Sequence, residues 1–291
     1  MNKKVTLILL SIFLVGLLIF CYPTISQYYN SKVQAQNISD YDKFFDKLRV
    51  EDYTNEIEKA KEYNSKLNSL MYPLTQYKLL NTYNSVLNIR NDGMMGYISI
   101  PKLKLEIPIY HGTSATTLNV AAGHIQGSSV PIGGESTHAV ISAHRGLPTS
   151  RLFTDINKLE LGDTFEINVL GEVLTYEVDQ IKIVKPEDVN DIKVIPGSDL
   201  VTLVTCTPYG INTHRLLVRG HRIETKNLSN KNIVNEAYKV DRIIVTSIIA
   251  IPVVLFVTLY ISFKPNRKNI KNNIKNNKND IKKDIKNNKK I

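Results

Sequence analysis

The sequence predicts a mainly β module, a sandwich or closed barrel with short helices, preceded by a helical extension and flanked by two membrane-length apolar segments. Three observations predict it. Seven short β-rich segments follow one another between residues 97 and 219, punctuated by Gly, Pro and Asn. Residues 41–84 instead show apolar side chains recurring at helical spacing. Residues 5–21 and 243–263 are nearly free of charge, and each is about long enough to cross a hydrocarbon core of roughly 30 Å as a helix.

The elements follow in order. Residues 1–4 carry Lys3 and Lys4 and are expected in the cytoplasm, with 5–22 as a transmembrane helix or signal-anchor. Ile19, Phe20, Cys21 and Tyr22 are bulky and offer no small-x-small cleavage site, so the segment is expected to stay attached, the alternative being a cleaved signal peptide. Residues 23–93 form the helical extension. Phe44, Phe45, Leu48 and Ile57 mark its apolar face, Pro73 breaks it, and a loop rich in Asn and Gly closes it at 88–93. The β module is expected over 94–226, with strands at 97–100, 105–110, 139–143, 164–169, 173–178, 201–205 and 215–219. Leu170, Gly171 and Glu172 suggest a hairpin turn. A polar linker at 227–241 leads to a second transmembrane helix at 242–263.

Charge is concentrated at one end. The net charge is +10, but residues 264–291 hold ten Lys and one Arg against two Asp, a net of about +9. The remainder is nearly neutral, which argues against a nucleic-acid partner and for a disordered basic tail on the cytoplasmic face, beside anionic membrane lipid. Both termini are then inside and the β module is outside. Of the two cysteines, Cys21 falls in the first apolar run and Cys206 in the β module. A leftover thiol in an exported domain is a candidate reactive group, its alternative being a small buried hydrophobe.

Three segments carry the candidate chemistry. A strand ends at Ser142-Ala-His144-Arg-Gly, an apolar strand ends at Thr205-Cys206, and Arg215 opens the next strand after a turn through Pro208-Tyr-Gly210. Thiolate is the attacking form of cysteine, and a nearby cation favours it. Imidazole moves protons near neutral pH. A guanidinium donates to an oxyanion. His144, Cys206 and Arg215 are therefore the expected catalytic set. Thr205 either packs or helps to orient substrate. His111, His124 and His138 are expected to be satisfied structurally, and His214 to face away from Arg215 by strand alternation. Scattered histidines and a lone cysteine point to no metal.

These segments closely resemble the sortases, through Thr-Leu-x-Thr-Cys206 with an upstream histidine and a downstream arginine, over roughly residues 94–223. The resemblance is closer to class C, the pilin-polymerising branch. It rests on Gly96-Tyr-Ile-x-Ile-Pro-Lys102, Pro108-Ile-Tyr-His-Gly-Thr-Ser114, His144-Arg-Gly-Leu-Pro148 and Cys206-Thr-Pro-Tyr-Gly-Ile-Asn-Thr-His-Arg215. It implies a sortase-type closed β-barrel that cleaves an LPxTG-like signal at Thr–Gly. Cys206 forms a thioester and a pilin lysine amine resolves it, with no cofactor. The partners implied are LPxTG-bearing pilins or surface proteins. A housekeeping sortase using a cell-wall amine, or a non-enzymatic scaffold, are the alternatives. Class C lids usually carry an Asp-Pro-aromatic anchor, and residues 84–92 have no such triplet.

Overall fold

A computed structural model describes residues 3–225 together with Ala250, Val254 and Thr258. The linker, most of the second apolar segment and the basic tail lie outside the described residues; the three positions within the second segment are helical. The chain divides into two units, Met1–Tyr22 with Val240–Ile291, and Pro23–Lys239.

The first unit takes the start of helix α1, Lys3–Phe45. Within α1, Leu10–Phe45 is long and apolar enough to cross a membrane by length and composition. Phe20, Leu18 and Ile12 are largely exposed, as lipid-facing side chains would be.

In the second unit α1 continues well past the expected end of the apolar run. Residues 23–40 fall within the expected helical extension, but their inward stripe is polar: Gln27, Asn30, Gln34 and Asn37 recur at helical spacing and hydrogen-bond to the barrel and its loops. Hydropathy cannot register such a face. Helix α2, Val50–Asn68, buries Ala60, Tyr63 and Leu67 on one stripe. Its two buried polar residues act as pegs. The Glu56 carboxylate accepts from Leu87 N at 2.7 Å, and the Asn64 amide pairs with both Val130 N and Val130 O. The short α3, Pro73–Gln76, opens on the proline that ends the helical pattern. It rests on Gly127, where an added Cβ would stand 2.7 Å from Leu74 Cα.

Eight strands close a barrel: β1 Met94–Ile100, β2 Leu105–His111, β3 Ala122–His124, β4 Thr137–Ser142, β5 Thr164–Val169, β6 Glu172–Val184, β7 Asp199–Thr207 and β8 His214–Arg222. Their order around the barrel is β1-β2-β3-β4-β7-β8-β6-β5. The β2/β3 and β4/β7 pairs are parallel and the others antiparallel. A four-residue helix, α4 (Ala115–Leu118), precedes β3. Alternate side chains of the strands fill the interior, among them Ile98, Ile107, Phe165, Ile167, Tyr176, Leu203 and Val218.

The hairpin read at 170–172 is present. Leu170 and Gly171 both take positive φ, as a two-residue primed turn demands. Leu170 tolerates it because its N–H donates to the buried Tyr41 hydroxyl at 2.9 Å. Residues 84–92, compared above with the lid, form a packed turn instead. Val86 and Leu87 are buried, and the His111 ring bridges Val86 O and Gly93 O.

Candidate active site

Three neighbouring strands bring the predicted residues together. Strands β7 and β8 are antiparallel, and Cys206 stands directly opposite Arg215. Strand β4 runs parallel to β7 with Ser142 opposite Val204. The Ala143 N–H still donates to Val204 O at 3.2 Å. Carried two residues past the end of β4, that register aligns His144 with Cys206. Because side chains alternate, Val140 and Ser142 share a face with Thr202, Val204 and Cys206 and with Arg215, Leu217 and Arg219, and His144 follows two residues after Ser142. His144, Cys206 and Arg215 are all partly buried, and the thiol is free.

The backbone beneath them is fastened on the opposite face. Thr205, 2% exposed, donates its hydroxyl to Ala143 O at 2.8 Å. Of the two roles left open for Thr205, this geometry is that of a strut in the barrel wall. Arg145 Nη1 donates to Thr207 Oγ1 at 3.2 Å. These two cross-links flank His144 and Cys206 in sequence on both sides. The role of Arg145 was invisible in the sequence, where a charge after histidine reads as solvated. Among the described residues its buried Nε has no hydrogen-bond partner.

The loop after His144 is also pinned. Phe153 N donates to His144 O at 3.1 Å, and Gly146 N to Thr154 Oγ1 at 3.1 Å. Gly146 has φ +78°, and a Cβ there would lie 2.6 Å from the Tyr209 ring. Glycine thus lets the turn after Cys206 close against the turn after His144. The Arg215 guanidinium is steadied by its own turn: Nη1 donates to Asn212 O at 3.2 Å and to His214 O at 3.0 Å.

A buried apolar cluster lies along the same strand face as Cys206. Val140, Val204 and Leu217 cluster on the catalytic face, with Ile125, Val184 and Ile192 against them. Ile192 belongs to the long β6–β7 connection. That connection is tied down by the His138 ring, which donates from Nδ1 to Lys193 O at 2.7 Å and accepts at Nε2 from Thr202. Asp191 holds it from the other side through Lys182 and Gln180.

Two further histidines are buried in the fold, His124 and His138. His124 is fully buried, and burial pushes its pKa down to about 4. Its Nε2 donates to Ser129 O, and its Nδ1 accepts from Tyr83. Burial also lowers the pKa of His138. His214 pairs with Thr207 and so alternates away from Arg215. Among the described residues no group of three His, Cys, Asp or Glu is placed to hold a metal ion.

Comparison with known proteins fits this site. The Sortase domain family matches residues 98–223. Sortase A of Streptococcus agalactiae is 30% identical over 139 residues, covering 47% of this chain and 56% of that protein. Sortase D of Bacillus subtilis is 31% identical over 131 residues, covering 44% and 63%. The chain therefore spans less than two thirds of these two relatives. Among solved structures, sortase C1 of Streptococcus agalactiae is 50% identical, with TM-score 0.62, over 66% of this chain and all of that one. A Streptococcus pneumoniae sortase C, whose structure was described in terms of catalysis and pilin substrate specificity, is 40% identical with TM-score 0.59, over 65% and 97%.

Proposed function

Since the chain belongs to the sortase family, and within it to the class C branch, we propose that it is a membrane-anchored cysteine transpeptidase that polymerises pilin subunits. The observation that supports this reading is the register of β7 and β8, which pairs Cys206 with Arg215, together with that of β4 and β7, which ends two residues before His144.

The proposed reaction has two acyl transfers. The Cys206 thiolate attacks the threonine carbonyl of an LPxTG-like signal, and the oxyanion forms beside the Arg215 fork. The C–N bond to glycine breaks, and His144 protonates the departing amine. The thioester so formed is then attacked by a lysine amine of a second subunit. His144 takes the amine proton, the C–S bond breaks, and an isopeptide bond replaces the peptide bond that was cleaved. One amide is exchanged for another, so no external energy source is required. The apolar segment of α1 fits a membrane anchor, with the barrel on the extracellular side and both termini inside.

The purified chain, incubated with a sorting peptide and a pilin domain, should form an enzyme adduct of acylated mass and then a covalent ladder. Cys206→Ala should form neither while remaining folded. Ladders that persist in Cys206→Ala sink the reading. A product formed only with a cell-wall-type amine would replace it by surface-protein anchoring.

A further inference from the structure

Helix α1 turns one polar stripe to the barrel: Gln27, Asn30, Gln34, Asn37 and Tyr41 succeed one another at alternating spacings of three and four, which keeps them on one face. The first three of these side chains reach backbone or hydroxyl groups just downstream of His144. Gln27 Nε2 donates to Pro148 O at 3.0 Å, and Asn30 Nδ2 donates to Thr149 O at 2.8 Å. Gln34 Nε2 donates to Val120 O and lies 3.3 Å from Ser150 Oγ. The fixings of this loop through Phe153 N and Thr154 lie within its own stretch of chain. Helix α1 instead fastens it to a separate element, one that continues from the apolar segment.

The geometry points to Gln27, Asn30 and Gln34 as positioning residues for His144: three side-chain amides of α1 hold the loop that sets the imidazole beside Cys206. The inference rests on the acid/base role given to His144 above. Partly solvated amide–carbonyl bonds add little net stability because water replaces them when they break. They do fix a direction and a distance. Displacing a catalytic group by about 1 Å can cost up to about 10²-fold in rate. The amides act through the loop, so their loss lowers turnover and leaves peptide binding unchanged. The helix that carries the anchor is then also a working part of the active site.

The test uses the full chain in detergent micelles. Gln27→Glu, Asn30→Asp and Gln34→Glu are combined, since each keeps the side-chain shape but replaces the donating NH2 by an oxygen that cannot donate. Gln36→Glu, whose parent amide bonds Asp40 on another side of the helix, controls for added charge. Steady-state cleavage of an LPxTG peptide and thermal melting are measured for each. The expected result is a fall in kcat of about tenfold, KM within about twofold, an unshifted melt, and a Gln36→Glu protein that matches the parent. An unchanged kcat, or a raised KM at unchanged kcat, overturns the inference. If the triple variant melts early, Asn30→Asp alone decides on the same terms, with a fall of about threefold expected. A parent chain that cleaves no peptide, or cleaves as well with Cys206→Ala, defeats the underlying reaction instead.

Discussion

Arg215 shows what a single residue must supply. Its Nη1 is steadied by Asn212 O and His214 O, and it sits directly across from Cys206. A guanidinium held at one nitrogen presents its remaining donors in a rigid fork, which an ammonium on a flexible stem does not. Arg215→Lys keeps the charge and loses the fork. It should lower kcat by about 10²–10³ while leaving KM nearly unchanged, as steady-state cleavage of a sorting peptide will show. A KM rise with unaltered kcat would move Arg215 from the oxyanion to ground-state binding. At this scale much was legible, because Cys206, His144 and Arg215 sit at strand termini whose chemistry is written in side-chain type. The struts behind them were not. Thr205 bonds Ala143 O and Arg145 bonds Thr207, partners about sixty residues away along the chain, and no local pattern announces such a pairing.

Between elements, the junction of the extension with the barrel rests on a buried aromatic knot. Tyr83, in the turn after α3, stacks on His124 of β3, meets the His111 ring of β2 edge-on and accepts from Gly112 N. Strand β3 escaped sequence reading because it is three residues long and includes Gly123, too short for a period to show. The latter half of β6 was missed for another reason. A bulge at Asp179, between Val178 and Gln180, shifts the alternation, so the strand is hard to follow in the sequence although residues 180–184 pair with β8. The knot makes an acid-sensitive joint. His124 is neutral in the fold with a pKa of about 4, against 6.5 when unfolded. The unfolded chain therefore binds the proton first. The stabilisation is fully present above about pH 6.5 and is lost as pH falls through about 4. One such group accounts for about 3 kcal/mol by pH 4. Urea unfolding of the parent should lose that much between pH 7 and 4, and His124→Asn should lose distinctly less over the same interval, from a lower start. Equal losses in the two proteins would remove His124 as the source.

For the molecule as a whole, the division at Pro23 carries a consequence for where the barrel's stability lies. The unit Pro23–Lys239 contains the rest of α1, and that part is bound into the fold. Tyr41 is 2% exposed; it donates to Met95 O at 3.0 Å and accepts from Leu170 N. Ile38 and Tyr41 cover Met94, with Phe45, Tyr97 and Tyr110 around them. The apolar periodicity within the expected extension begins near Tyr41, so it marks the apolar end of this contact but not the amide stripe before it. A chain beginning at Pro23 should consequently fold with the melting temperature of the parent, since what it lacks belongs to the other unit. A chain beginning at Asp46 should not. It opens the slot of a buried tyrosine, leaves the Leu170 N–H and Met95 O without that partner, and uncovers Met94. Removing a large buried aromatic alone costs about 3–5 kcal/mol, and stranding a buried donor adds about 1–3 kcal/mol. That total is comparable with the whole stability of many domains, so this shorter chain should be largely unfolded or melt far below the parent in a calorimetric scan. If it melts with the parent, the barrel stands without α1, and the helix contributes to the active-site loop alone.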